Sequence, residues 1–77
     1  MNATRRKQLA KLYGQLDDIR RELESIRDDE QSAFDNMPEG LQQSERGQQA
    51  ENAASELDSA YSSLEDALAG IDNSTAE

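Results

Sequence analysis

Between residues 9 and 26 the large apolar residues fall at Leu9, Leu12, Leu16, Ile19, Leu23 and Ile26, in steps that alternate three and four without exception. A mean spacing of about 3.5 residues is the seam of a coiled coil: a narrow apolar stripe on one side of a helix, which needs a second helix to cover it. The rhythm continues through Glu30 to Ala33, the flanking residues are strong helix formers, and no proline occurs before Pro38. With Asn2 as N-cap, the spacing predicts a first helix over about residues 3–34.

The second half repeats the pattern with smaller side chains. Ala50, Leu57, Leu64 and Ile71 recur every seven residues, and Ala53/Ala54, Ala60/Tyr61 and Ala67/Leu68 fill the alternate positions. Ser44 is a good N-cap, with Glu45 favourable in the first turn, while Gly70 and Asp72-Asn73-Ser74 interrupt the pattern. A second helix is therefore expected over about 45–71, a connector over 35–44 and a frayed tail over 72–77.

Folding the chain back at the connector tests this reading. If facing residues have numbers that sum to 80, Leu9 meets Ile71, Leu12 meets Leu68, Leu16 meets Leu64, Ile19 meets Tyr61, Leu23 meets Leu57 and Ile26 meets Ala54. One register places every large apolar residue of both helices in the seam. It also sets Arg5, Arg6, Lys7 and Lys11 beside an acidic end around Glu65, Asp66, Asp72 and Glu77. The expected fold is all-α, an antiparallel two-helix hairpin forming a single domain over residues 1–77.

A chain of 77 residues with about a dozen large apolar side chains and no cysteine has little to stabilise it beyond this seam. Self-association is expected, most simply a dimer forming a four-helix bundle. Ala10, Tyr13 and the alanine-rich faces of the second helix offer the second contact surface. Gly14 reads either as a tight crossing between subunits or as a tolerated glycine.

Charge and composition exclude several functions. With no His and no Cys, the usual activated nucleophiles, the commonest general base and the usual zinc ligands are missing, so no catalytic residue, metal site or cofactor is expected. A di-metal bundle would need Glu-x-x-His motifs, which leaves only an all-carboxylate cation site around Glu30 to set against an ordinary outward-reaching glutamate. Residues 1–34 balance seven basic against seven acidic groups, whereas residues 35–77 hold ten acidic groups and only Arg46, giving the net −9. That surface lacks the basic footprint of direct nucleic-acid binding. No apolar run approaches a membrane span or signal core, so a soluble, cytoplasmic protein is expected.

The connector concentrates what the helices leave over. Pro38 opens a short helical turn with Asn36 or Asp35 before it, Gly40 can end it, and Phe34, Met37 and Leu41 can fold inward to plug the bundle end. Arg46 beside Gly47, at the first turn of an otherwise acidic helix, has two readings: pairing with Asp35 or Glu39, or an anion pocket. The pocket would draw on Arg46, Ser44, Gly47, Asn36 and Met37, with Tyr13 for stacking.

The string FDNMPEGLQQSERGQQAENA, followed by the heptads ELDSAYSSLEDALAGID, resembles a group of small, uncharacterised phage and prophage helical-hairpin proteins. These share a basic-to-mixed first helix, an NMPE-x-LQ-x-SE connector and an acidic second helix. The similarity spans nearly the whole chain, with the connector as its specific part, and departs in the Ala/Ser-rich second helix. It implies a phage-encoded accessory protein in the cytoplasm of a host bacterial cell. For such a protein the leading expectation is counter-defence, by sequestering a nucleotide immune signal as a homo-oligomer. An acidic nucleic-acid mimic that blocks a basic host protein is the alternative, and a structural or assembly adaptor is the third reading.

Overall fold

The structure, a computed structural model, describes residues 1–76. Three helices follow in chain order: α1 (Ala3–Asp35), α2 (Glu39–Gln42) and α3 (Glu45–Thr75). α1 and α3 lie side by side and antiparallel, so that Arg27 reaches Asp58 and Arg6 reaches Thr75. The result is a rod of 58 × 15 × 14 Å. Among the described residues no helix is long and apolar enough to cross a membrane.

The helix starts are held by side chains that satisfy amides with no partner in the first turn. Asn2 accepts from the Arg5 amide at 2.8 Å, and Ser44 does the same for Gly47 at 3.3 Å. α3 does not stop near Ile71 but continues to Thr75. The Ser74 and Thr75 hydroxyls bond back to the Ile71 carbonyl at 2.8 and 3.2 Å, and the Arg6 guanidinium caps the Thr75 carbonyl at 3.1 Å. A cation at a helix C-terminus complements the negative end of its dipole. Arg6 therefore meets backbone at this end. Among the described residues no ion pair joins Arg5, Lys7 or Lys11 to Glu65, Asp66 or Asp72. The expected contact with Glu77 lies outside the described residues.

The packing corrects the seam expected on α1. On α3 the shielded positions include Ala50, Ala54, Leu57, Tyr61, Leu64, Leu68 and Ile71, as the heptads require. On α1 the shielded row that includes Leu9, Leu16 and Leu23 alternates with Arg6, Arg20, Arg27 and Phe34. Leu12, Ile19 and Ile26 stay 51%, 53% and 54% exposed. In a heptad, the positions three and four residues after a seam position lie on opposite flanks of it. α1 is thus rotated so that its arginine flank, and not its Leu12–Ile19–Ile26 flank, turns toward α3. The pairings expected for Leu12, Ile19 and Ile26 within one chain are not formed.

The buried core is correspondingly thin. Among the described residues Ala54 and Leu68, each about 5% exposed or less, are the only buried apolar side chains. The accessible surface is 5599 Å², against about 4,700 Å² for a compact monomer of this mass. Leu68 should accordingly dominate the stability of the hairpin. Leu68→Ala is expected to cost about 2–3 kcal/mol in urea denaturation, against less than about 1 kcal/mol for Leu41→Ala at a 40%-exposed position. Equal losses would contradict this packing.

Candidate functional site

The connector folds as a closed set of caps. Asn36 ends α1, its amide donating to the Ser32 and Phe34 carbonyls, and the Met37 amide donates to Phe34 at 3.1 Å. Pro38, at φ −56° and ψ 148°, enters α2 as its N-cap, and its carbonyl accepts from the Leu41 and Gln42 amides at 2.9 and 3.0 Å. The Gln42 side-chain amide donates to the Phe34 carbonyl at 3.0 Å and ties α2 to the end of α1. The Ser44 hydroxyl donates to the Leu41 carbonyl while accepting from Gly47, so it has no further proton to give a ligand.

Gly47 is the tightest point of this arrangement. It is buried, and a Cβ there would collide with the carbonyl oxygens of Leu41 and Gln42. The space beside α3's first turn, expected to be open for an anion, is filled by backbone oxygens that carry partial negative charge. Glycine is required by this close approach of two backbone segments, not by a positive φ, which no glycine in the chain has. Gly40 lies inside α2, where it does not end the turn. Phe34 and Met37 are half-buried at this end, whereas Leu41 is 40% exposed and does not plug it.

The six candidate ligand residues do not converge. Asn36, Ser44 and Gly47 are engaged in backbone closure, and Met37 is half-buried at the connector end of the hairpin. Arg46 is exposed and makes neither a hydrogen bond nor an ion pair among the described residues, so the expected pairing with Asp35 or Glu39 is not formed. Asp35 instead accepts from Gln31 at 3.0 Å. Tyr13 lies near the opposite end of the rod, beside Arg6, Ile71 and Thr75. Some twenty residues of helix, about 30 Å at 1.5 Å per residue, separate it from the connector. Among the described residues no group of carboxylates is placed to hold a metal ion.

A different constellation occupies the middle of the hairpin. Arg6, Tyr13, Arg20, Arg27 and Phe34 recur every seven residues on α1, and Glu51, Asp58, Glu65 and Asp72 do so on α3. Their two rows face each other along one flank, where Asp17, Arg20 and Tyr13 line the same groove as Glu65 and Asp72. Two guanidinium groups lie over the Tyr61 ring, Arg27 at 4.6 Å and Arg20 at 5.9 Å from its centroid. Arg27 bonds Asp58 across the hairpin and Asp28 on its own helix, each at 3.1 Å. Asp17 receives Arg20 at 2.8 Å and Arg21 at 3.1 Å.

Electrostatics follows this geometry. For Arg20, desolvation pulls the pKa down, yet the charge and hydrogen bond of Asp17, with the Tyr61 phenol and Glu65 nearby, outweigh it and hold the group above the ordinary arginine value. Arg27 is held up chiefly by its hydrogen bond to Asp28, against desolvation and with help from Asp58. Because both folded pKa values lie above the unfolded ones, their contribution is fully present below the ordinary arginine pKa. It is lost only as pH climbs past the folded values, so these two cations stay charged throughout the neutral range. The row was visible in the sequence as arginines seven and fourteen residues apart opposite acids with the same period. Attention to the apolar seam alone passes over it.

Comparison with known proteins adds no family: no family model, no curated protein and no solved structure matches the chain.

Two glycine substitutions separate packing from propensity. Gly47→Ala should lower stability and perturb the connector, since its obstacles are backbone oxygens. Gly14→Ala, with nothing within 4 Å of the added methyl, should raise stability by about 0.5–1 kcal/mol. Ser44→Ala should cost about 1 kcal/mol through loss of the cap. Denaturation midpoints test all three, and a Gly47→Ala protein as stable as the parent would refute the closed connector.

Proposed function

We propose that this chain is a non-catalytic binding protein of the phage accessory type, acting in counter-defence by presenting an acidic surface to a basic partner. The supporting observation is the surface of α3. All seven of its carboxylates are exposed, and among the described residues only Asp58 is held in an ion pair. Glu45, Glu56 and Asp66 point away from α1, and the row Glu51, Asp58, Glu65 and Asp72 flanks them on one side. Anionic groups repeated along a rigid rod resemble the phosphates that a nucleic-acid-binding effector reads through Lys and Arg.

Sequestration of a nucleotide signal keeps one supporting observation, the exposed Arg46 with no partner among the described residues. Within one chain it receives no help from Ser44, Gly47 or Tyr13, and this places it second. Self-association belongs to the proposal as well, supported by the exposure of Leu12, Ile19 and Ile26. An assembly adaptor shares that support but leaves the acidic surface without a task.

Fluorescence anisotropy distinguishes the readings. The protein should displace a labelled DNA duplex from a basic DNA-binding effector of the host, and should do so less well as salt rises. Neutralising the outward row by Glu45→Gln, Glu56→Gln and Asp66→Asn should weaken displacement about tenfold or more while helicity is unchanged, because none of the three touches the arginine row. Displacement that ignores both salt and these substitutions would refute the acidic-mimic reading. A thermal shift with cyclic or ADP-ribose-type nucleotides, lost in Arg46→Ala, would move the assignment to sequestration.

A further inference from the structure

The flank of the hairpin opposite the arginine row is apolar along its whole middle. On α1 it carries Leu12, Ile19 and Ile26, each more than half exposed, and on α3 it carries Ala53, Ala60 and Ala67. Both sets recur every seven residues. An open trough of about 590 Å³ lies over Leu9 and Leu12 at one end of this face, bordered by Met1, Arg5 and Lys11. We infer that a second copy of this chain covers the face, with its two-fold axis parallel to the helices, so that α1 of each copy lies on α3 of the other and both connectors sit at the same end. This rests on the self-association included in the proposed function and specifies its geometry.

Three observations select this occupant and this axis. The first is size. The surface exceeds that of a compact monomer of this mass by about 900 Å² because the chain is a rod. One flank of a rod 58 Å long and 14 Å across is comparable to the roughly 800 Å² per partner of a stable dimer.

The second is shape. A two-fold parallel to the rod leaves each residue at its own height, so residues that meet across the interface are also level within one chain. Leu12 is then level with Ala67, Ile19 with Ala60 and Ile26 with Ala53, all with numbers summing to 79. Within the chain, the contacts Arg6–Thr75 and Arg20–Tyr61 sum to 81, Arg27–Asp58 to 85 and Arg27–Tyr61 to 88. Long arginine side chains that slant toward the helix N-terminus raise these sums above those of level backbones. Large residues thereby meet small ones in every layer, which fills a bundle core evenly. The other closed arrangement, with the axis across the rod, would put leucine and isoleucine on their own kind along α1 and alanine on alanine along α3.

The third is charge. α1 carries seven basic and eight acidic groups, net −1, whereas α3 carries one basic and seven acidic, net −6. The axis across the rod would press two strongly anionic helices together. The parallel axis sets each against the nearly neutral helix of the other copy and keeps both outward rows of α3 carboxylates in solvent.

The arrangement also gives Arg46 a setting. It belongs to the same heptad position as Ala53, Ala60 and Ala67, so it projects from the edge of the apolar face toward Ala33 of the second copy. The two Arg46 side chains then lie at the same end of the bundle.

Light scattering and paired cysteine variants test this in the full chain, which has no native cysteine. The parent should have the mass of a dimer, and Ile19→Asp should weaken association on the order of 100-fold, as removal of a central anchor does, with helicity followed by circular dichroism. Should Ile19→Asp fail to fold, Ala60→Arg addresses the same layer from the other helix. Mixed under mild oxidation, Leu12→Cys and Ala67→Cys chains should form a disulfide-linked heterodimer, and Leu12→Cys with Ile26→Cys should not. A monomeric parent overturns both the inference and the self-association beneath it. A dimer that links Leu12→Cys to Ile26→Cys, or that survives both Ile19→Asp and Ala60→Arg, overturns the inference and leaves self-association standing.

Discussion

The rotation of α1 against α3 brings Arg27 and Arg20 over the Tyr61 ring, with Asp58 closing the bridge from the second helix. The electron-rich ring attracts both guanidinium groups, and the carboxylates beside it neutralise the charge brought into this half-buried groove. Each contact is weak where water has access. Their joint effect is directional. With the arginine flank turned inward, only Leu9, Leu16 and Leu23 of the six large apolar residues from Leu9 to Ile26 remain against α3, and Leu12, Ile19 and Ile26 face outward. One polar row thus decides both how this hairpin closes and what it leaves uncovered.

The connector obeys a separate constraint, the satisfaction of backbone groups where two helices end within ten residues of each other. Asn36, Pro38, Ser44 and Gly47 each answer a local need: a C-cap, a helix entry, an N-cap and a close approach. Residues of this kind attract attention as binding residues because polar caps and glycines also build anion sites. Here the Ser44 hydroxyl and the Asn36 and Gly47 backbone amides are engaged internally, and the carbonyls of Leu41 and Gln42 occupy the space that a ligand would need. Arg46 is the exception, pointing outward at the edge of the apolar face.

These two constraints divide the surface by task. The arginine-tyrosine flank is consumed by folding, the opposite flank is apolar and unmatched, and the outer side of α3 is a solvated anionic row. A second copy on the apolar flank would double the carboxylate display without covering it. An acidic interaction surface and a self-associating hairpin are therefore compatible in one small chain. Stiffness contributes as well: a rod carrying fixed charges meets a basic groove with less conformational entropy to lose than a flexible acidic tail.

Periodicity determined the helices and their antiparallel order. Apolar residues in steps of three and four, Asn2 and Ser44 before the helices, and Pro38 between them act within a few residues of themselves, so their consequences are legible along the chain. What periodicity could not decide was the rotation of α1 about its own axis. Leu12 and Tyr13 stand at neighbouring positions, and both continue a heptad stripe that contains Leu9 and Leu16. Choosing between them required the other helix to be present, since Arg20 and Arg27 gain their ring and carboxylates only when Tyr61 and Asp58 arrive from a distance in sequence. The closure of Gly47 was hidden for the same reason: a glycine that leaves room and a glycine whose room is taken look alike until the carbonyls that take it are in place.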